Sequence, residues 1–150
     1  MMKLRPYKPE DFETLYEIDQ ACYEPAIAYS RRELRNYLRF PGAECVVAET
    51  AADEPAIVGF CVTAHEEDWG YIVTIDVLGA YRRQGVGTAL LREVERRLAA
   101  NGTKEVALET ATDNAAAIAF WQKHGYRTQE IRKGYYPGGR DAYTMVKPLA

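Results

Sequence analysis

Tyr81-Arg82-Arg83-Gln84-Gly85-Val86-Gly87-Thr88 decides how this chain reads, because of what stands on either side of it. Before it, Tyr71-Ile72-Val73-Thr74-Ile75-Asp76-Val77 is rich in β-branched and aromatic residues and reads as a strand. After it, Val86, Leu90, Val94 and Leu98 recur every four residues with Leu91 alongside, the apolar stripe of a helix. Gly85 and Gly87 therefore fall where a strand hands over to a helix N-terminus. The first N–H groups of a helix lack intrahelical partners and carry the positive end of its dipole. Glycine lets an anionic group approach that backbone, so the loop suits a pyrophosphate or a carboxylate, with Arg82 and Arg83 adding positive charge. A tight turn rimmed by solvated arginines would leave the same residues. Two other phosphate loops are excluded by what is missing: no G-K-[ST] follows, and no third glycine stands three residues past Gly87.

Composition narrows the rest. The 150 residues, 47% hydrophobic, suit one domain over 1–150 with a full core. A net charge of -3 gives a nucleic-acid partner no electrostatic support. No apolar run approaches the roughly 18–20 residues needed to span a membrane. The N-terminus, Met1-Met2-Lys3-Leu4-Arg5, lacks the apolar core of a secretory signal. Cys22, Cys45 and Cys61 are scattered with no C-x-x-C, which suggests neither a metal site nor a disulfide framework. The expectation is a cytoplasmic, metal-free chain with no membrane or nucleic-acid partner.

Along the chain, residues 2–7 read as a first strand, and Pro9 opens a helix over about 10–23. Ser30 and Glu33 form a capping box for a second helix to about Phe40, stopped by Pro41-Gly42. Strands follow at about 44–50 and 56–66, then the strand ending at Val77. The Gly85 helix runs to about Ala100, where Asn101-Gly102 ends it. Lys104–Thr110 is another strand, and Asp113 is placed to cap a helix through His124. Tyr126–Lys133 and Asp141–Lys147 read as closing strands joined by Gly134-Tyr135-Tyr136-Pro137-Gly138-Gly139. The order is β-α-α-β-β-β-α-β-α-β-β.

Arg82-x-x-Gly85-x-Gly87 after a strand resembles the acetyl-CoA pyrophosphate loop, [QR]-x-x-G-x-[GA], of the GNAT N-acetyltransferases. The element order is similar to that family over nearly the whole chain. The resemblance implies a single-domain α/β fold: a mixed, mostly antiparallel sheet, a splayed central parallel pair, and helices on both faces. It implies acetyl-CoA as co-substrate, with its pantetheine arm against the splayed strand end at Val77-Leu78. The pyrophosphate would lie on Arg82, Arg83, Gln84, Gly85, Val86, Gly87 and Thr88. Asn114 matches the family's Asn-x-x-Ala segment near the far arm of the cofactor, and would otherwise serve as a helix cap or first-turn residue.

By spacing alone, Glu109 is a solvated strand-edge residue. Leu108-Glu109-Thr110-Ala111-Thr112-Asp113-Asn114-Ala115-Ala116-Ala117-Ile118, however, resembles the L-E-V-x-x-S-N-x-x-A-I segment of the ribosomal-protein alanine acetyltransferase branch. That resemblance implies Glu109 as the base. Tyr71 is similar in position to a proton-transferring tyrosine of the N-terminal protein acetyltransferases. Tyr135-Tyr136 matches their peptide-backbone contacts, and Tyr29 lies in the connection that walls the substrate groove. The implied substrate is the α-amine of a protein or peptide. A small-molecule amine or amino acid, or a CoA-binding module without turnover, remain alternatives, as do monomer and homodimer.

One departure stands out. The family's aromatic-tyrosine pair, which supplies a proton donor to the leaving thiolate, here reads Phe120-Trp121, and an indole is no ordinary acid. Tyr126 and Tyr143 are possible substitutes. His124 is expected to help close its helix with positive charge. Asp76, a carboxylate in an apolar strand, either binds a substrate amine or pairs with an arginine.

Overall fold

The computed structural model describes residues 2–149. Seven strands form one sheet in the order β1-β2-β3-β4-β5-β7-β6: β1 (Met2–Pro6), β2 (Glu44–Thr50), β3 (Ile57–Glu66), β4 (Trp69–Val77), β5 (Glu105–Ala111), β6 (Arg127–Tyr136) and β7 (Arg140–Pro148). Among the described residues only β4 and β5 pair in parallel; each other neighbouring pair is antiparallel. A parallel pair requires a crossover, and α3 (Val86–Ala100) supplies it. The expected mixed sheet with a central parallel pair is present.

Helices cover both faces because the inner strands are apolar on both sides, as the near-continuous burial of β2 and β3 shows. On one face, α3 and α4 (Ala115–Lys123) enclose a core of Val86, Leu90, Leu91, Val94, Leu98, Leu108, Trp121 and Met145. The buried residues of α3 are the five in its apolar stripe. On the other face, α1 (Phe12–Cys22) and α2 (Arg31–Arg39) bury Phe12, Leu15, Ile18 and Leu34 against Val47, Phe60 and Val62. No helix of the described residues is long and apolar enough to cross a membrane.

Both bonds of the Ser30–Glu33 capping box are made, at 3.1 Å from Glu33 N–H to Ser30 Oγ and 2.9 Å from Ser30 N–H to Glu33 Oε1. Several boundaries differ from expectation. Pro9 opens a single 3-10 turn, Pro9–Asp11, before α1 begins. Asn114, not Asp113, caps α4, accepting the Ala117 N–H at 3.1 Å. Tyr126 is not a strand residue but a core side chain, 1% exposed, which anchors the chain before β6. Tyr135 and Tyr136 lie inside β6 rather than in a loop, and Tyr136 pairs with Arg140 of β7.

Candidate active site

Pairing between β4 and β5 lasts three rungs, Trp69–Tyr71 against Glu105–Ala107. From there β5 keeps to β7 as far as Ala111, β4 keeps to β3 as far as Val77, and a gap opens between them. A bulge sits at the point of parting. Val62 faces Thr74 while Thr63 faces Ile72, so β4 carries an extra residue, Val73. A bulge raises local twist and re-aims side chains. Here it puts Tyr71, Val73, Thr74 and Asp76 all toward α1 and α2, while Ile72, Ile75 and Val77 pack toward α3.

At the head of the gap, the Tyr71 hydroxyl donates to Glu109 Oε1. Tyr135 OH lies 3.4 Å from the same oxygen, Thr144 Oγ1 donates to Oε2 at 3.1 Å, and Arg132 Nε stands 3.7 Å away. Glu109's side chain is only 9% exposed, so it is no solvated edge residue. Burial first, and then the Glu109 carboxylate, hold the Tyr71 phenol far above its ordinary pKa; it stays protonated and donates. Burial also raises Tyr135, whose ring meets Tyr136 edge to face at 5.0 Å.

Across the gap, the β4 carbonyls are taken up by α1 and the connection behind it. Tyr29 OH donates to Val73 O at 3.2 Å, Tyr23 OH to Ile75 O at 3.1 Å, and Cys22 Sγ to Val77 O at 3.4 Å. The Leu78 N–H donates to Val58 O at 2.9 Å, while its side chain packs toward α1.

The phosphate-type loop follows. Arg83 and Gly85 have φ of +64° and +81°, and no side chain caps α3 after Gly85. At Gly85 a Cβ would meet nothing within 4 Å, so conformation demands glycine there and the space above it is open. At Gly87 the constraint is different: a Cβ would lie 3.3 Å from Phe120 Cε1, close enough that the ring would have to give way. Arg82 Nε folds back onto Val77 O and Gln84 Nε2 onto Ala80 O, each at 3.1 Å, fixing the loop's shape. Thr88 Oγ1 sits 3.1 Å from His124 Nε2, and burial lowers the His124 pKa, so a neutral ring replaces the charged cap expected.

A bare helix N-terminus, an open glycine and flanking arginines suit a pyrophosphate. The splayed strand edge beside them suits an extended amide-bearing arm.

Other expected residues fall elsewhere. Trp121, 5% exposed, packs edge-on against Phe120 and Tyr126. Tyr126 OH donates to Glu95 at 2.7 Å within the α3-side core, so it is no substitute acid at the gap. Tyr143 packs against the same core. Among the described residues Asp76 has no arginine within salt-bridge distance; its Oδ1 accepts from Thr74 at 2.6 Å.

Several site residues left no sequence signal. Arg132 and Thr144 reach Glu109 only through strand register. Arg140 joins Glu24, in the α1–α2 connection, to Asp113, before α4, and so ties three segments around the open end of the gap. A cavity of about 280 Å³ lies there, lined by Cys22, Tyr23, Asn114 and Arg140. A second cavity, of about 310 Å³, begins at Tyr71, with Tyr37, Phe40 and Trp69 as walls and Ala64, Gly70 and Ala107 as small lining residues.

Comparison with known proteins gives the same frame. Residues 12–126 match the Acetyltransferase (GNAT) family. An N-alpha-acetyltransferase of Saccharolobus solfataricus is 38% identical over 81 residues, which are 53% of this chain and 48% of that protein. The chain thus matches about half the length of that relative. The crystal structure of the Escherichia coli ribosomal-protein-S18-alanine N-acetyltransferase superposes with a TM-score of 0.87 at 27% identity, covering 100% of this chain and 95% of the other. Ard1 from Thermoplasma volcanium gives 0.88 at 28% identity, covering 99% and 98%. With its fold, phosphate-type loop and splayed strand pair on one frame, this chain belongs to the GNAT acetyltransferase family.

Proposed function

We propose that the chain is an acetyl-CoA-dependent N-acetyltransferase, acting as one domain on the N-terminal α-amine of a protein or peptide. The observation that carries this reading is Tyr71 and Glu109 joined where β4 and β5 part, with Tyr135 bonded to the same carboxylate. Val77, Arg82, Arg83, Gln84, Gly85, Val86, Gly87 and Thr88 would hold the cofactor, with Asn114 shaping the start of α4. Acetyl-CoA supplies the activated acyl carbon when bound. The amine would attack that carbon directly, forming the C–N bond as the C–S bond breaks and CoA leaves as its thiolate, with no enzyme cysteine acylated. Burial raises the Cys22 pKa to about 11, which suits it to hydrogen bonding rather than nucleophilic attack.

The α-amine is the easy substrate. With a pKa of about 7.7–8.0 it is neutral in roughly a tenth of molecules at pH 7, against well under a thousandth for a lysine amine near 10.4. A modest base is then enough. Glu109 takes the proton from the attacking nitrogen, directly or through a water, while the Tyr71 phenol steers that oxygen and the nearby acyl group. Tyr29, Tyr135 and Tyr136 would line the peptide, and the Phe40–Trp69 trough beside Tyr71 would take apolar side chains that follow the first residue.

A CoA-binding module without turnover is the second reading. Trp121 favours it, since no hydroxyl stands there to protonate a thiolate. Thiol release from acetyl-CoA with a panel of short peptides separates the two. The panel holds Ala-, Ser- and Met-leading peptides, N-blocked lysine peptides and free polyamines. Turnover confined to free α-amines supports the proposal; turnover with polyamines alone assigns a metabolite enzyme. Tight acetyl-CoA binding with no turnover on any member favours the module.

A further inference from the structure

Two buried carboxyls lie outside the machinery above. Asp19 on α1 and Asp76 on β4 are each 1% exposed. Asp19 Oδ2 accepts the Tyr29 N–H at 2.8 Å, and Asp76 Oδ1 accepts from Thr74 Oγ1 at 2.6 Å. The other oxygen of each, Asp19 Oδ1 and Asp76 Oδ2, has no donor among the described residues. Yet the two side chains stand within hydrogen-bonding reach of each other. Two bare carboxylates in such contact would each leave one oxygen without a donor and would repel in a poorly solvated setting. A proton between them satisfies both orphan oxygens at once.

The surroundings offer no other compensation. Cys22 at the end of α1 and Tyr23 just after it face the pair, and burial raises both thiol and phenol, so they stay neutral. Cys45 of β2 and Cys61 of β3 are likewise raised by burial. Glu33 of α2 adds negative charge on the Asp19 side. Arg82, whose charge favours an ionised Asp76, is hydrogen-bonded to Val77 O instead.

We propose that Asp19 and Asp76 share a single proton, carried by Asp76 and donated to the Asp19 carboxylate, and that this bond positions the α1–α2 connection against the splayed edge of β4. Asp19 is the ionised member because it already accepts a backbone N–H. The consequence for catalysis rests on the function proposed above. The same connection places the Tyr23 and Tyr29 hydroxyls on Ile75 O and Val73 O, beside the reacting pair. If Asp76 loses its proton, two adjacent anions push α1 from β4 and Tyr29 leaves the groove wall.

Burial, reinforced by Asp19, raises the Asp76 pKa well above the carboxylate range. The folded chain therefore keeps a proton that the unfolded chain releases above about pH 4. The stabilisation falls as pH rises from there through the folded value.

Carboxyl carbon NMR of the intact protein, titrated with and without Asp76→Asn, tests the shared proton without any substrate. One aspartate signal, absent from the variant, should remain in its protonated position at pH 7 and shift only at higher pH. Both aspartates ionised at pH 7, or both protonated, would overturn the proposal. Asn can donate to Asp19 and accept from Thr74, so Asp76→Asn should keep the parent's peptide KM at pH 7 and abolish its alkaline rise. Asp76→Ala should raise peptide KM about tenfold with kcat nearly unchanged. An alkaline profile unchanged in Asp76→Asn also counts against the proposal. Should no peptide react, the titration still decides the proton, and only the functional reading fails.

Discussion

Tyr71 and Glu109 stand 38 residues apart, yet their side chains are hydrogen-bonded across the two strands at the point where pairing ends. Tyr71 holds the last rung of the parallel pair and Glu109 lies two residues past its partner Ala107, on the same face of β5. The bond therefore bridges the opening of the splay.

Glu109→Gln should lower kcat/KM for a free α-amine peptide by about 10²–10⁴-fold, the usual range for losing a general base. Tyr71→Phe should cost about tenfold, since it removes one oriented donor rather than the base. Acetyl-CoA affinity, measured by calorimetry, should change little in both. A double variant that kept full thiol release would remove this pair from the mechanism.

Gly85→Ala forces a side chain into φ +81° and should destabilise the fold by about 1–2 kcal/mol, read as a shift in urea midpoint. It should also weaken acetyl-CoA binding by narrowing the approach to α3. At Gly87 the added methyl meets the Phe120 ring, so the loss should come from α3–α4 repacking. Phe120→Leu in the Gly87→Ala background should restore stability. It should not do so for Gly85→Ala.

Arg140 joins Glu24 and Asp113 across the open end of the gap, with both acids largely exposed. Arg140→Ala should raise peptide KM several-fold at low salt and leave kcat near its original value. Because exposed pairs are screened, that difference should shrink toward zero by about 1 M salt. A salt-independent defect would instead indicate a direct substrate contact.

Arg5 is held between Asp11 and Glu49 at 2.8 and 2.9 Å, with all three side chains mostly buried. Arg5→Met leaves two carboxylates without their cation and should destabilise by about 3 kcal/mol. The Arg5 hydrogen bond holds the Asp11 pKa below its ordinary value. Its stabilisation is thus present above about pH 4 and lost as pH falls through the lowered folded value. Urea midpoints at pH 7 and pH 3 should show a smaller Arg5→Met penalty at the lower pH.

Phe40 and Trp69, 58% and 49% exposed, wall the trough that begins at Tyr71. A Phe40→Ser/Trp69→Ser double variant should lower kcat/KM about tenfold for peptides with large apolar residues after the first. Acetylation of alaninamide, which cannot reach the trough, should be unaffected. Equal losses for both substrates would show that the aromatics only brace α2 and β4.

The sequence alone determined what is local. The β4 stripe, the Gly85 turn, the α3 periodicity and the Ser30–Glu33 box depend on residues within a few positions of one another, and each is present. Glu109 could be placed on its strand, but its importance came only from resemblance, because nothing in its own spacing separates a buried glutamate from a solvated one.

What the tertiary structure decided is which distant groups meet. The Val73 bulge changes which face every later β4 side chain takes, and a single inserted residue leaves no periodic signature in so short a strand. Tyr135 reaches Glu109 because β6 runs on to Tyr136, past the glycine that marked its expected end. Asp76 was legible as an oddity, but its partner Asp19 lies on a helix 57 residues earlier. Local pattern encodes elements through short-range sterics and burial. The contacts that make a site follow from register and packing between elements, and those exist only once the chain has folded.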